Sequence, residues 1–186
     1  MRALPYQTPM SGNIVIVGAS HAAVQAIDTL RREGHTGSIV LVGDEPHLPY
    51  NRPPLSKKFL SGELERDRLL LRSPAFYEQA RVATRLGVRV TAIDRTDRRL
   101  RLSDGGELAY EQLLLCVGSR PRRLEVPGHD LAGIHYLRTI ADVEAIRGDL
   151  PSARRLVVVG AGYVGLEAAA SARHLGLDVT VLEMAD

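Results

Sequence analysis

The chain alternates between short, unbroken apolar runs and stretches whose apolar residues recur every three or four positions. Asn13-Ile14-Val15-Ile16-Val17 breaks at Gly18, a helical spacing follows from about His21 to Arg32, and Gly34 stops it. Ile39-Val40-Leu41-Val42 is a second apolar run, ending at Gly43-Asp44-Glu45. Runs that are apolar at every position read as strands buried on both faces of a parallel sheet, with the 3.6-residue pattern between them as the crossover helix. The same order returns near the end. Arg155-Leu156-Val157-Val158-Val159 breaks at Gly160, a helical pattern carries Leu166 to Leu175, Gly176 stops it, and Asp178-Val179-Thr180-Val181-Leu182 ends in Glu183. Two βαβ units are therefore expected, and the fold class is α/β.

Between these units the period changes. In Pro49-Tyr50-Asn51-Arg52-Pro53-Pro54 the prolines force an extended approach, and Leu55 to Leu60 then predicts a short helix carrying Lys57. Ser73-Pro74 predicts the start of a helix to about Arg81, and Thr139 one over Ile140 to Ile146. Val88–Ile93, Arg99–Leu102 and Gly106–Leu108 alternate with period two around Asp104-Gly105, which predicts a small antiparallel meander. Gln112–Val117 is one more apolar strand, ending at Gly118. Residues 119–130, rich in Pro, Arg and Gly, mark the crossing between a first domain over 1–118 and a second over 119–186.

The later unit carries Gly160-x-Gly162-x-x-Gly165 with an acid at the tip of its second strand, the pattern of a dinucleotide site. Gly160 permits the tight turn, Gly162 lets a diphosphate approach the backbone, and Gly165 lets helix pack close on strand. The helix then offers amide N–H groups and a positive dipole end. Glu183 accepts from a ribose 2′-hydroxyl and repels a 2′-phosphate, which favours NADH over NADPH. The earlier unit reads Gly18-x-Ser20-x-x-Ala23. Alanine is tolerated at the third position, where only close packing is required. Ser20 is a departure, because a Cβ and a hydroxyl now face the diphosphate; the hydroxyl could instead donate to a phosphate oxygen.

Composition narrows the field. Of 186 residues, 24 are Lys or Arg and 22 Asp or Glu, a net charge of +2 that gives no reason to expect nucleic acid. Cys116 is the sole cysteine, so no disulfide framework, zinc cluster or Cys-x-x-Cys pair can form within the chain, and a buried packing thiol is expected. No metal site is expected. Residues 1–11 lack the apolar core of a signal peptide and no run approaches a membrane span, so a cytoplasmic protein without a membrane partner is expected. His21 reads as a local hydrogen-bonding residue. The arginine-rich stretches Arg95 to Arg101 and Arg120 to Arg123 read first as solvated faces, and second as a surface attracting an acidic protein.

The order of parts resembles the FAD-dependent pyridine-nucleotide oxidoreductases, and more narrowly the NADH-dependent ferredoxin and rubredoxin reductases. The residues that carry this are Val42-Gly43-Asp44-Glu45, Arg52-Pro53-Pro54-Leu55-Ser56-Lys57, Tyr136-Leu137-Arg138-Thr139 and the two glycine patterns. Cys116-Val117-Gly118 stands where the family usually has Ala-Thr-Gly. The resemblance implies a Rossmann-like FAD-binding domain with its meander, followed by the first βαβ unit of an NADH-binding domain. It places Gly18, Ser20, Ala22 and Ala23 at the FAD diphosphate, Asp44 on the adenosine ribose, and the Val90 backbone near the adenine. Arg138 falls near the FAD phosphates or ring edge, and Arg52 and Gly118 are further cofactor-binding candidates. Lys57 is placed beside the flavin ring, paired with Glu167 near N5, while Gly160, Gly162, Gly165 and Glu183 bind NADH. By residue type alone Lys57 is a solvated lysine and Glu167 an exposed helix residue; family position promotes both.

The implied reaction is hydride transfer from nicotinamide to flavin, then single-electron transfer to a ferredoxin or rubredoxin. One cysteine argues against a dithiol relay. The alternatives are an NADH oxidase, the flavin portion of a nitrite reductase, or a non-catalytic dinucleotide-binding module. Because the second unit stops directly after Glu183-Met184-Ala185-Asp186, the chain is expected to be the first part of a much longer reductase, binding FAD poorly on its own and oxidising little NADH.

Overall fold

The computed structural model describes residues 12–184. The stretch read as lacking a signal-peptide core, residues 1–11, lies outside the described residues, as do Ala185 and Asp186. The described chain forms two compact units. One takes the chain up to Tyr50 together with Leu70–Gly118; the other takes Asn51–Leu69 together with Ser119 onward.

The first unit is built on four parallel strands. They are β1 (Ile14–Val17), β2 (Ile39–Gly43), β3 (Val82–Leu86) and β7 (Gln112–Leu115), in the order β3-β2-β1-β7. Ile14 pairs with Ile39 on one side and with Gln112 on the other. Every residue of β1 is buried, and the two-residue period of a strand divides them. Ile14 and Ile16 pack with Ala23, Val24 and Ile27 of helix α1 (His21–Arg32) and with Tyr77 of α2 (Pro74–Gln79). Val15 and Val17 pack with Val42 and with Leu100 and Leu102 of strand β5 (Arg99–Leu102). That strand is the centre of an antiparallel meander with β4 (Val90–Asp94) and β6 (Glu107–Ala109). The sheet therefore has helices on one face and the meander on the other, which is why its central strand reads as continuously apolar.

Arg31 ties this layer together. Its guanidinium donates to the carbonyls of Ala80, His35 and Gly37 at 2.7, 2.7 and 2.9 Å, and to that of Arg81 at 3.2 Å. Tyr77 is a weak point in the same layer. Its hydroxyl is buried with no hydrogen-bond partner among the described residues, and burial pushes its pKa up to about 12. Since an unpaired buried hydroxyl costs about 1–3 kcal/mol of desolvation, Tyr77→Phe is expected to leave the fold intact and raise stability by about 1 kcal/mol, read as a higher urea midpoint with unchanged slope.

The second unit joins an early segment of the chain to its last third. A 3-10 turn over Pro53–Ser56 and a second over Arg66–Leu69 pack with helix α3 (Ile140–Asp149), the parallel pair β8 (Arg155–Val159) and β9 (Asp178–Leu182), and helix α4 (Tyr163–His174). Thr139 caps α3 as expected: its Oγ1 accepts from the Asp142 amide at 3.2 Å while the Asp142 carboxylate accepts from the Thr139 amide at 2.7 Å. Arg66 pairs with Glu144, and the Arg147 guanidinium lies 5.9 Å from the Phe59 ring centre.

Three expectations need correction. The helix expected over Leu55–Leu60 is instead the 3-10 turn Pro53–Ser56, with Lys57 just past it at φ −123° and ψ −118°. Two prolines pre-set the first turn and remove its amide donors, so the turn forms early and tight and does not propagate. Strand β3 was not expected at all, because Val82-Ala83-Thr84-Arg85-Leu86 is an edge strand with an exposed middle and lacks the apolar run of its neighbours. Helix α4 begins at Tyr163, a turn earlier than the apolar pattern starting at Leu166, because the glycine loop itself supplies its first turn.

Candidate functional site

In the first unit the loop after β1 is a tight turn at the strand tip. The Gly18 amide donates to the Val42 carbonyl at 2.8 Å, and Gly18 sits at φ +107°, a conformation open to glycine. A Cβ there would lie 2.2 Å from the Cys116 carbonyl oxygen. Helix α1 starts three residues on. Its N-cap Ser20 makes no side-chain capping bond, its first turn holds no acid, and Arg31 and Arg32 occupy its last turn. The positive end of its dipole, with the Ala22 and Ala23 amides in the first turn, is thus left for an anion. The Ser20 hydroxyl donates to the Cys116 carbonyl at 3.3 Å. That contact links the start of α1 to the chain just past β7. The Cys116 thiol is buried, and burial pushes its pKa up, which suits packing and not redox exchange.

The other candidates of this unit follow the ends of β2 and β7 or open the meander. Asp44, past the tip of β2, pairs with Arg89 at 3.4 Å, both side chains exposed. Val90 opens β4 opposite Leu102, beside a bulge between Val90 and Ala92. Gly118 follows β7 with φ +64°.

The second unit repeats the turn. The Gly160 amide donates to the Leu182 carbonyl at 2.8 Å, with Gly160 at φ +100°. At Gly160 and Gly162 an added Cβ would meet nothing within 4 Å, whereas at Gly165 it would lie 2.1 Å from the Gly160 carbonyl oxygen. The first two glycines thus leave open space along the loop, and the third is required by close packing. Gly162 is the N-cap of α4, without a side-chain cap or an acid in the first turn. Glu183 is locked at the end of β9: its carboxylate accepts from the Ala161 amide at 2.6 Å and from the Met184 amide at 2.7 Å. This sets an acceptor beside the glycine loop.

Two candidates, Lys57 and Glu167, come together at the helix that follows that loop, joined by Ser56. The Lys57 ammonium lies 2.8 Å from Oε1 of Glu167, and the Ser56 hydroxyl donates to Oε2 at 2.6 Å. The Lys57 hydrogen bond, then the Ser56 hydrogen bond, hold the Glu167 carboxyl below the usual carboxylate range. The interaction is therefore fully present above the ordinary glutamate value of 4.5 and is lost as pH falls through the lowered one. Arg52 and Arg138 also meet: an Arg52 Nη donates to the Arg138 carbonyl at 2.7 Å, while the Arg138 amide donates to Asp142 at 3.0 Å.

Ser56, Ser171 and Arg89 were missed from sequence. Ser171 was within reach of periodicity, since it lies four residues after Glu167 on the same helix face; nothing local distinguishes Ser56 or Arg89.

Residues 12–186 match the model of the pyridine nucleotide-disulphide oxidoreductases. The chain belongs to this family. A ferredoxin–NAD(P)+ reductase of a Sphingomonas species is 44% identical over 174 residues, which are 94% of this chain and 42% of that protein. Among solved structures, the ferredoxin reductase for the CYP199A2 system from Rhodopseudomonas palustris superposes with a TM-score of 0.88 at 40% identity, covering 93% of this chain and 43% of that one. Putidaredoxin reductase, in its covalent complex with putidaredoxin, superposes with a TM-score of 0.83 at 41% identity over 91% of this chain and 42% of the other. The chain thus spans about two fifths of the length of the relatives it matches. Despite the family name, no dithiol can form within this chain, which has one cysteine. Among the described residues, no helix is long and apolar enough to cross a membrane.

Proposed function

We propose that this member of the family is the flavin- and nicotinamide-binding start of a reductase that passes electrons from NADH through FAD to a ferredoxin- or rubredoxin-type acceptor in the cytoplasm. The observation that carries the reading is the Lys57–Glu167 contact, which joins the Pro-Pro-Leu-Ser-Lys turn to the helix that follows the second glycine loop. The residues present suit both cofactors. Two glycine turns each lead into a helix whose first turn carries no acid, and open space lies along Gly160 and Gly162.

On this reading the first turn of α1 holds the FAD diphosphate through the Ala22 and Ala23 amides, with Gly18 and Gly118 shaping the loops and Asp44 taking the ribose. Val90 offers backbone to the adenine, and Arg52 and Arg138 serve the phosphates or ring edge. The Gly160–Gly165 loop holds the NADH diphosphate, and Glu183, held beside it by the Ala161 and Met184 amides, serves the ribose. Lys57 stands beside the flavin ring as a cation, kept in place by Glu167. Bound FAD supplies the link between a two-electron donor and a one-electron acceptor. Of the three relatives cited above, two are ferredoxin reductases by name and the third is joined to putidaredoxin, which supports the choice of acceptor.

The test is NADH-driven reduction of a panel of ferredoxins and a rubredoxin by the full polypeptide, followed by the visible absorbance of each acceptor. Reduction of at least one, faster with NADH than with NADPH, is expected. Rapid NADH oxidation by oxygen with no acceptor reduced would overturn the reading in favour of an oxidase.

A further inference from the structure

Glu167 does not hold Lys57 alone. A carboxylate turns readily about its terminal torsion, and a lysine ammonium on four methylenes is mobile, so a two-member pair is poorly defined in space. Here the second carboxylate oxygen is committed to Ser56, a side chain only 3% exposed. Its hydroxyl has one proton and two acceptors in reach, Glu167 at 2.6 Å and the Pro53 carbonyl at 3.4 Å; the shorter, charge-assisted contact takes it. The main chain of Ser56 is held as well, because the Ser171 hydroxyl donates to the Ser56 carbonyl at 2.8 Å. Glu167 and Ser171 are four residues apart on α4, so one helix face grips Ser56 by side chain and backbone.

We propose that Ser56 is a positioning residue, which fixes Glu167 as a carboxylate aimed at Lys57 and thereby sets where the Lys57 ammonium stands. The inference rests on the reductase reading above and extends it to a residue that does not touch the cofactor. Without the Ser56 hydroxyl, Oε2 of Glu167 loses the donor that fixes its orientation. Glu167 would then rotate and take up a proton more readily, and Lys57 would swing into solvent. Lys57 supplies the charge facing Glu167, and two turns along the same face His174 stands 3.9 Å from Glu63. A direct reading of the Glu167 carboxyl is therefore needed.

The experiment compares wild type with Ser56→Ala, Ser56→Thr and Ser171→Ala in the full polypeptide. Carbon-13 glutamate NMR follows the Glu167 carboxyl, assigned by its loss in Glu167→Gln. Rapid mixing gives the pH profile of flavin reduction by NADH. Ser56→Ala is expected to make Glu167 titrate at higher pH, move the acid limb of the rate profile in the same direction, and lower the plateau rate about tenfold; Ser56→Thr restores all three. An unchanged Glu167 titration in Ser56→Ala, or a threonine that restores nothing, overturns the proposal. If Ser56→Ala does not fold, Ser171→Ala carries the test, since it loosens Ser56 from outside and must shift Glu167 in the same sense. A normal rate in Lys57→Met would instead sink the reductase role of the pair, while the NMR titration would still decide whether Ser56 holds Glu167.

Discussion

Lys57→Met in the full polypeptide is expected to slow flavin reduction by NADH about a hundredfold, the loss typical of removing one preorganised charge from a reacting centre. Methionine keeps the length and apolar stem of the side chain and deletes only the ammonium. The Lys57 and Glu167 side chains are 48% and 31% exposed, and ion pairs with this much water around them contribute little to stability. The thermal midpoint should therefore stay near that of wild type while the rate falls. Bound FAD should also remain, because the glycine turn, Asp44 and the first turn of α1 are untouched. Rapid-mixing absorbance with NADH in excess measures the first quantity and a flavin spectrum the second. A rate within a factor of about two of wild type would remove Lys57 from the chemistry.

Gly18→Ala is expected to be the most damaging single-methyl change in the first unit, costing about 3–5 kcal/mol. Two penalties coincide there. The backbone is at φ +107°, and the added carbon would lie 2.2 Å from the Cys116 carbonyl oxygen, with Val117 N at 2.9 Å. Relief requires β1 and β7 to part at their tips, where the FAD diphosphate is proposed to bind, so flavin content should fall with stability. Gly34→Ala is the internal control. Gly34 also has positive φ, +87°, but nothing lies within 4 Å of its added carbon, so only the conformational cost of about 1–2 kcal/mol applies. Chemical denaturation of both variants separates the terms: a similar loss at the two positions would mean that backbone strain, not the close approach of β7, is what Gly18 serves.

The difference between these glycines shows how much a sequence pattern carries. The turn at Gly18 and its counterpart at Gly160 were legible because an apolar run, a glycine and a helical period must follow one another when a buried strand feeds a crossover helix. The helix start at Thr139 was legible for a similar reason, since an N-cap and the amides it serves lie within three residues. Strand β3 was not, because an edge strand with its middle exposed has no need of an apolar run. The short helix over 55–60 failed because the local prolines outweighed the apolar spacing. Ser20 shows the remaining limit. Its type and place suggested a phosphate donor, but its contact with Cys116, a residue 96 positions away, left no local sign.

By itself the sequence determined the two βαβ units, the meander, the glycine loops and the acids after the second strands, because each depends on hydrophobic period and backbone freedom over a few neighbouring residues. It also excluded a dithiol within the chain, since that is a matter of counting. Tertiary structure alone decided that residues 51–69 pack with α3 and α4, that Ser56 and Ser171 join Lys57 and Glu167, and that Arg89 reaches Asp44. Those contacts join residues 45 to 115 positions apart. Hydrogen bonds and ion pairs of that span leave no local period behind them, because they are specified by the packing of whole elements.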